Sequence, residues 1–457
     1  MIFDILQDTV FGDVIGDDDN RYDAARQGLL FNTRTPARHP QLIVRAASVG
    51  DVQATVRFAR ANQMRISVRG GGHNWSGIAL QDGIVLDLSA LNHIRIDADK
   101  RIAEVGAAVR NGDAARAFAA EGFAFPFGHC ASVPLSGYLL GGGFGWNVGA
   151  WDIACLGIEA VEVVLADGEV RRASLTENAD IFWAVRGAGP EFFGVVTRYW
   201  LRLQPLPRAI TTSVFTYPLA DIGTLRDWMS RWATEIRNLE FTIVFASAPP
   251  HLAGEAHKVA TAIATVFADT EAEAHTVLSR IVASAPAGAL EIQEYMPTPF
   301  EVLYAIIAQF FPEGARYAVD SYWGAPEGMF ERLAMETAKA PSHRSFSLGV
   351  VLPPRAAPLP DAAFSMIAPA FACSYAIWDD AADDEANVGW LRSTAHKLAP
   401  LARGAYVGEA DLDRPMHIRR CFSAEAWNRL KALQAKYDPA GLFRTQQSLA
   451  VPLDSAA

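Results

Sequence analysis

Three successive glycines and a histidine, Gly70-Gly71-Gly72-His73, close a short alternating run that carries Ile66 and Val68. A glycine triplet lets backbone N–H groups converge without side-chain clash, which is how a loop holds pyrophosphate oxygens. The chain must therefore end a strand in a tight loop that a ligand can approach. The triplet lacks the Gly-Lys-Ser/Thr of a P-loop and the G-x-G-x-x-G register of a dinucleotide-binding βαβ unit. Taken alone it also fits an ordinary tight turn. A second run, Gly141-Gly142-Gly143-Phe144-Gly145, follows Cys130, Ser132 and Ser136. A lone thiol such as Cys130 reads first as buried filler.

Around these loops the pattern alternates small helical and strand units. Ser48 with Asp51 makes a capping box, and Val49, Val52, Val56 and Ala59 recur at helical spacing, predicting a helix over 48–62. Strands are expected at Ile66–Val68, Ile84–Leu88, 102–109 and 194–203, and at 158–166 and 169–174 with a turn at Asp167-Gly168; a helix opens at Asn111 and ends near Gly122. Gln204-Pro205-Leu206-Pro207 marks a boundary, since 457 residues exceed what one core organises. Beyond it, helices are expected at 218–236, 270–284 and 384–399 and strands at 240–247, 258–267, 344–351 and 373–378. Residues 425–449 have no core of their own and are expected to pack back on the first unit. The fold class is α+β, with domains at 1–204 and 205–410 and a returning segment at 411–457.

Hydrophobic residues make up 51% of the chain, yet no apolar run is long enough to span a bilayer, so a soluble protein is expected. The net charge of −11 argues against nucleic-acid binding, and an acidic N-terminus stands where a secretory signal would be basic, which makes the cytoplasm the expected location. Four scattered cysteines exclude a disulfide scaffold. The ten histidines show no metal-ligand spacing, and Asp17-Asp18-Asp19 lacks the rest of a calcium loop, so no metal is expected.

Several stretches in order resemble the berberine bridge enzyme-like flavin oxidases, within the vanillyl-alcohol oxidase or PCMH-type FAD-binding fold. They are Pro40 with Ile43-Val44, the Arg69–His73 loop, Cys130, the Gly141–Gly145 run, Asp180 to Gly189, Phe193 to Thr197, and the closing Lys436 to Leu449. The resemblance implies a two-part FAD-binding domain over about 36–206 and a substrate domain whose antiparallel sheet is covered by helices. It implies FAD bonded through its 8α carbon to His73, and through C6 to Cys130. Ala131-Ser132 and Pro134 depart from the family's usual residues beside that cysteine, which leaves the thiol link open. Matching positions make Gly70, Gly71, Gly72, Ser132, Ser136, Gly137, Gly142, Val196 and Gln447 further cofactor contacts.

The implied reaction moves a hydride from an alcohol, sugar or amine carbon of a small molecule to flavin, then electrons to O2 with release of hydrogen peroxide. Val133, three residues past Cys130, matches relatives in which valine leaves space for O2. Alternatives are a dehydrogenase using a quinone or protein acceptor and a flavin-binding protein without catalysis. A base is wanted for the heteroatom proton. Relatives often carry Tyr-x-Asn-Tyr late in the second domain, but this stretch reads Tyr406-Val407-Gly408-Glu409, so Glu409 becomes the candidate base, against the alternative of a solvated glutamate. Tyr406 is a second proton-transfer candidate. Tyr138 is a candidate for stabilising charge on reduced flavin, or packs. Trp228, Trp232, Tyr295, Tyr304, Tyr322 and Trp323 supply aromatic material to the second domain and are expected to be mainly core.

Overall fold

A computed structural model describes residues 2–254, 257–414 and 416–445. Its first part is built in two halves. One is a four-stranded sheet in the order Asp13–Gly16, Leu42–Arg45, Ile84–Asp87, Ile66–Arg69, parallel except at its first strand. The helix Val49–Ala61 covers it. Ser48 Oγ caps this helix by accepting from Asp51 N at 3.1 Å, and the Asp51 carboxylate accepts from Phe11, Gly12 and Ala47 N–H groups. That carboxylate therefore starts the helix and ties the N-terminal segment to it. The other half is an antiparallel five-stranded sheet in the order Ile94–Asp97, Ile102–Gly106, Gly194–Arg202, Ile158–Leu165, Val170–Ser174. Gly168, with φ +80°, supplies the turn between the last two.

An antiparallel eight-stranded sheet forms the second part, in the order Glu291–Pro297, Ala209–Pro218, Lys258–Ala268, Leu239–Ser247, Phe346–Val351, Ala370–Trp378, Arg316–Gly324, Ala402–Gly404. Because side chains alternate along a strand, each face has its own composition. Phe215, Phe241, Ile243, Phe245, Ala262 and Val266 pack beneath the helices Ile222–Glu235, Glu271–Ala283, Met329–Thr337 and Asp384–Leu398. The interleaved residues, among them Thr212, Glu240, Thr242, Thr265 and Val350, face a cavity shared with the first part.

Some expectations need correction. The strand expected over 102–109 ends at Gly106, and the helix expected from 218 starts at Ile222, because the residues before it complete the strand Ala209–Pro218. Residues 425–449 contain a helix, Ala424–Tyr437, whose Trp427, Leu430 and Leu433 join the main core. It docks on the first part: Lys431 Nζ meets Glu191 at 2.6 Å, Tyr437 stacks on Phe193, and the chain beyond it brackets Ile66, whose N–H bonds Leu442 O and whose carbonyl accepts from Arg444 N. No helix among the described residues is long and apolar enough to cross a membrane.

Candidate active site

The glycine loop at 70–73 is held from beneath by Arg69. Its Nη1 pairs with Asp87 Oδ1 at 2.8 Å, its Nε donates to Leu29 O at 2.8 Å and its Nη2 to Gly71 O at 3.3 Å. The absence of side chains here is a steric requirement. A Cβ on Gly72, where φ is +70°, would sit 1.8 Å from Leu29 O, and one on Gly71 would sit 2.1 Å from Pro134 Cγ. Gly71 against Pro134, and Gly70 against Ser136, means that two loops more than 60 residues apart are packed directly on one another.

Together they wall a cavity of about 620 Å³ that reaches the cavity-facing side of the large sheet. Gly70, Gly71, Gly72, His73, Cys130, Ser132, Ser136, Gly137, Tyr138 and Val196 line it, as do Tyr406 and Glu409. Gly142 does not: it lies against Phe364, whose ring a Cβ would strike at 2.4 Å. Gln447 lies outside the described residues. Of the aromatic residues expected in the second part, Tyr304 reaches the cavity, while Trp228 and Trp232 pack under the sheet and Tyr322 and Trp323 are fully buried.

The wall suits FAD. The N–H groups of Gly71, Gly72, His73 and Asn74 find no acceptor among the described residues, so a row of backbone donors is left for the oxygens of a pyrophosphate. His73 stacks on Phe31 with ring centroids 4.6 Å apart. Burial first, then the Arg110 and Arg69 charges, hold its pKa down to about 4. The imidazole is neutral at pH 7, with a ring-nitrogen electron pair free to form a bond to carbon. Burial, and secondarily Glu409, push the Cys130 thiol up to about 12, which keeps it protonated.

Glu409 ends the short turn Val407–Glu409. Its Oε2 accepts a 2.7 Å hydrogen bond from Trp75 Nε1, two residues beyond His73. Burial raises its pKa to about 8, against the opposing pull of the Trp75 and Tyr375 hydrogen bonds. Such a group takes and returns a proton near neutral pH. Tyr406 is placed differently. Its hydroxyl oxygen accepts from Gly143 N and Phe144 N, both at 3.2 Å, while Ser321 Oγ bonds its backbone N and O. These bonds make it a clasp between the second glycine run and the sheet. The Tyr138 hydroxyl donates to Pro126 O at 2.6 Å, so it packs.

Sequence reasoning missed four participants. Trp75 lies two residues past His73, yet its partner is 334 residues away. Tyr375 lies on a strand with nothing local to mark it. His129 and Glu240, 3.0 Å apart on the cavity wall, come from different parts of the fold.

The comparisons agree with this geometry. A family model described as FAD binding domain matches residues 40–174, and one described as Berberine and berberine like matches residues 405–450. The FAD-linked oxidoreductase nodO of Hypoxylon pulicicidum is 30% identical over 438 residues, covering 93% of this chain and 94% of its own. The (R)-6-hydroxynicotine oxidase of Paenarthrobacter nicotinovorans is 40% identical over 210 residues, 46% of this chain and 45% of its own. The solved structure of 6-hydroxy-D-nicotine oxidase from Arthrobacter nicotinovorans matches with a TM-score of 0.82 at 26% identity, covering 95% of this chain and 97% of that one. A PCMH-type fold, a loop pair shaped for FAD and full-length similarity to such enzymes place the chain in the berberine-like family of FAD-linked oxidoreductases.

Proposed function

We propose that the chain is an oxidase of alcohol, sugar or amine carbons in small molecules, with FAD attached covalently through His73. FAD bound in the cavity supplies the hydride acceptor and the onward passage of electrons to O2, giving hydrogen peroxide. The observation that carries this reading is Glu409: a carboxyl group with a proton affinity near neutral pH, on the wall that also holds His73. Glu409 takes the proton from the substrate's hydroxyl or amine as the hydride leaves the adjacent carbon. Trp75 orients the carboxylate through its 2.7 Å bond, and Phe311, Phe346 and Tyr375 give the same cavity an aromatic wall. Val133 lines the same cavity, in keeping with access for O2.

His73 is the attachment point because it presents a neutral nitrogen beside the row of N–H donors; Cys130 shares the wall and offers a second one. Acid denaturation of the purified protein tests this. Yellow colour should stay with the polypeptide, and His73→Ala should release it or leave it held by Cys130 alone, which Cys130→Ala in the same chain then frees. Colour that leaves the wild-type polypeptide in acid refutes covalent attachment. A peroxide assay over a panel of alcohols, sugars and amines tests the oxidase; reduction of a quinone dye without peroxide moves the reading to a dehydrogenase.

A further inference from the structure

A row of polar side chains crosses the cavity-facing side of the large sheet. Thr212 Oγ1 lies 2.7 Å from Thr298 Oγ1 and 3.0 Å from Thr265 Oγ1. Thr265 is directly opposite Glu240 on the next strand. Glu240 Oε1 is 3.0 Å from His129 Nε2, and its Oε2 accepts from Asn147 N at 2.9 Å. All five side chains line the cavity, and all but His129 are more than nine-tenths buried. One register further along, the same strands carry Val214, Ile263 and Thr242 on that face, with Val350 opposite on the neighbouring strand, a mostly apolar row. Folding alone does not call for the polar row, since valine at 212 or 265 keeps the shape and removes a buried hydroxyl.

Its chemistry selects a donor. Glu240 Oε2 accepts from Asn147 N, its Oε1 faces His129 Nε2, and a carboxylate so placed keeps lone pairs for one more N–H or O–H. The lining holds three carboxyl groups, Glu240, Glu313 and Glu409. Among its described residues the one Lys or Arg is Arg444, and its backbone is bound to Ile66 at the far strand of the first part. An anionic substrate would meet repulsion without a counter-charge.

We propose that the row Thr298, Thr212, Thr265, Glu240 and His129 is a second polar subsite. It takes a hydrogen-bond-donating hydroxyl or ammonium group of the substrate, other than the group that Glu409 deprotonates. The preferred substrates are thus bifunctional: diols, amino alcohols and diamines on an apolar body. The inference rests on the cavity being the active site.

The test uses the flavin-loaded protein and matched probes under argon: cyclohexylmethanol against 1,4-cyclohexanedimethanol, and benzyl alcohol against 4-(aminomethyl)benzyl alcohol. Affinities come from the dependence of the melting temperature on ligand concentration. The bifunctional member of a pair should bind about tenfold more tightly to the wild type, and Thr265→Val and Glu240→Gln should each cut that preference to less than about twofold. Three results overturn the proposal: no preference in either pair, absence of binding included; a preference that both variants retain; or both members of a pair weakened equally, which would make the row a structural latch. The readout is binding, so the preference is scored whether or not a probe is oxidised, and a peroxide assay in air that finds no turnover across the wider panel would refute the oxidase reading and leave the subsite standing.

Discussion

Replacing Glu409 by glutamine should slow the enzyme and stabilise it at alkaline pH. Burial lifts this carboxyl group from 4.5 to about 8. Between those values the folded protein holds a proton that the unfolded chain releases, so stability falls as pH rises through that window. At 1.36 kcal/mol per pH unit, the ionised form costs the fold about 5 kcal/mol above pH 8 relative to below pH 4.5. Glutamine carries no such charge at any pH and keeps the acceptor for Trp75. Turnover runs the other way, because only the carboxylate takes a proton. Its fraction grows from roughly 0.1 at pH 7 to roughly 0.9 at pH 9, so wild-type kcat/KM should rise about tenfold over that interval. The Gln variant should lose roughly 10²- to 10⁴-fold in kcat and the pH dependence with it. Peroxide release and melting temperature, measured from about pH 6 to about pH 10, follow both effects. Undiminished turnover in the variant would remove Glu409 from the reaction, and a variant that melts lower than wild type at pH 9 would show that the carboxylate is not held against its charge.

Trp75→Phe removes the 2.7 Å donor that favours the ionised carboxylate, so the rising limb of the kcat/KM profile should move roughly one unit further to alkaline pH; a limb that stays in place denies Trp75 that influence. Gly72→Ala places a Cβ 1.8 Å from Leu29 O at a φ of +70°, and the purified protein should lose most of its flavin, read from the ratio of visible to ultraviolet absorbance; full loading would mean that the loop shifts without harm. Ser321→Ala cuts both bonds to the backbone of Tyr406, at 3.0 and 3.2 Å, and should cost about 2 kcal/mol of stability along with a fall in kcat larger than the change in KM; unaltered kcat would show that the clasp does not position Glu409.

The first part of the fold was largely legible because its signals are local. Ser48 and Asp51 are three residues apart, the turn at Asp167-Gly168 is contiguous, and the glycines declare their loops wherever they occur. The strand Arg316–Gly324 escaped for the opposite reason. Asp320 and Ser321 interrupt its apolar pattern, and both are fully buried because their partners come from far along the chain: His417 and Asp411 N for the first, Tyr406 for the second. A polar pair that folding makes an anchor looks, in one dimension, like the middle of a loop. The strand Ala209–Pro218 escapes because Thr211, Thr212, Ser213 and Thr216 break its apolar pattern, and of these Thr212 lines the cavity.

The cofactor side and the substrate side of the cavity differ in the same way. The wall suited to the cofactor is mostly backbone, and backbone access is written as runs of glycine beside single reactive residues, so His73 and Cys130 stand out. The proposed substrate wall is made of side chains, one from each of several strands, and no spacing connects Thr212, Glu240 and Thr265 before the sheet registers them. Glu409 lies between these cases. Its position followed from the stretch that begins at Tyr406, whereas its proton affinity depends on burial and on Trp75, more than 300 residues earlier. A glutamate at that place in a solvated loop would titrate near 4.5 and would be an ineffective base at pH 8, so the assignment belongs to the folded cavity. Whatever alters that cavity, a shift of Phe31 or of the Ser321 clasp included, should therefore change the pH profile of turnover without touching Glu409 itself.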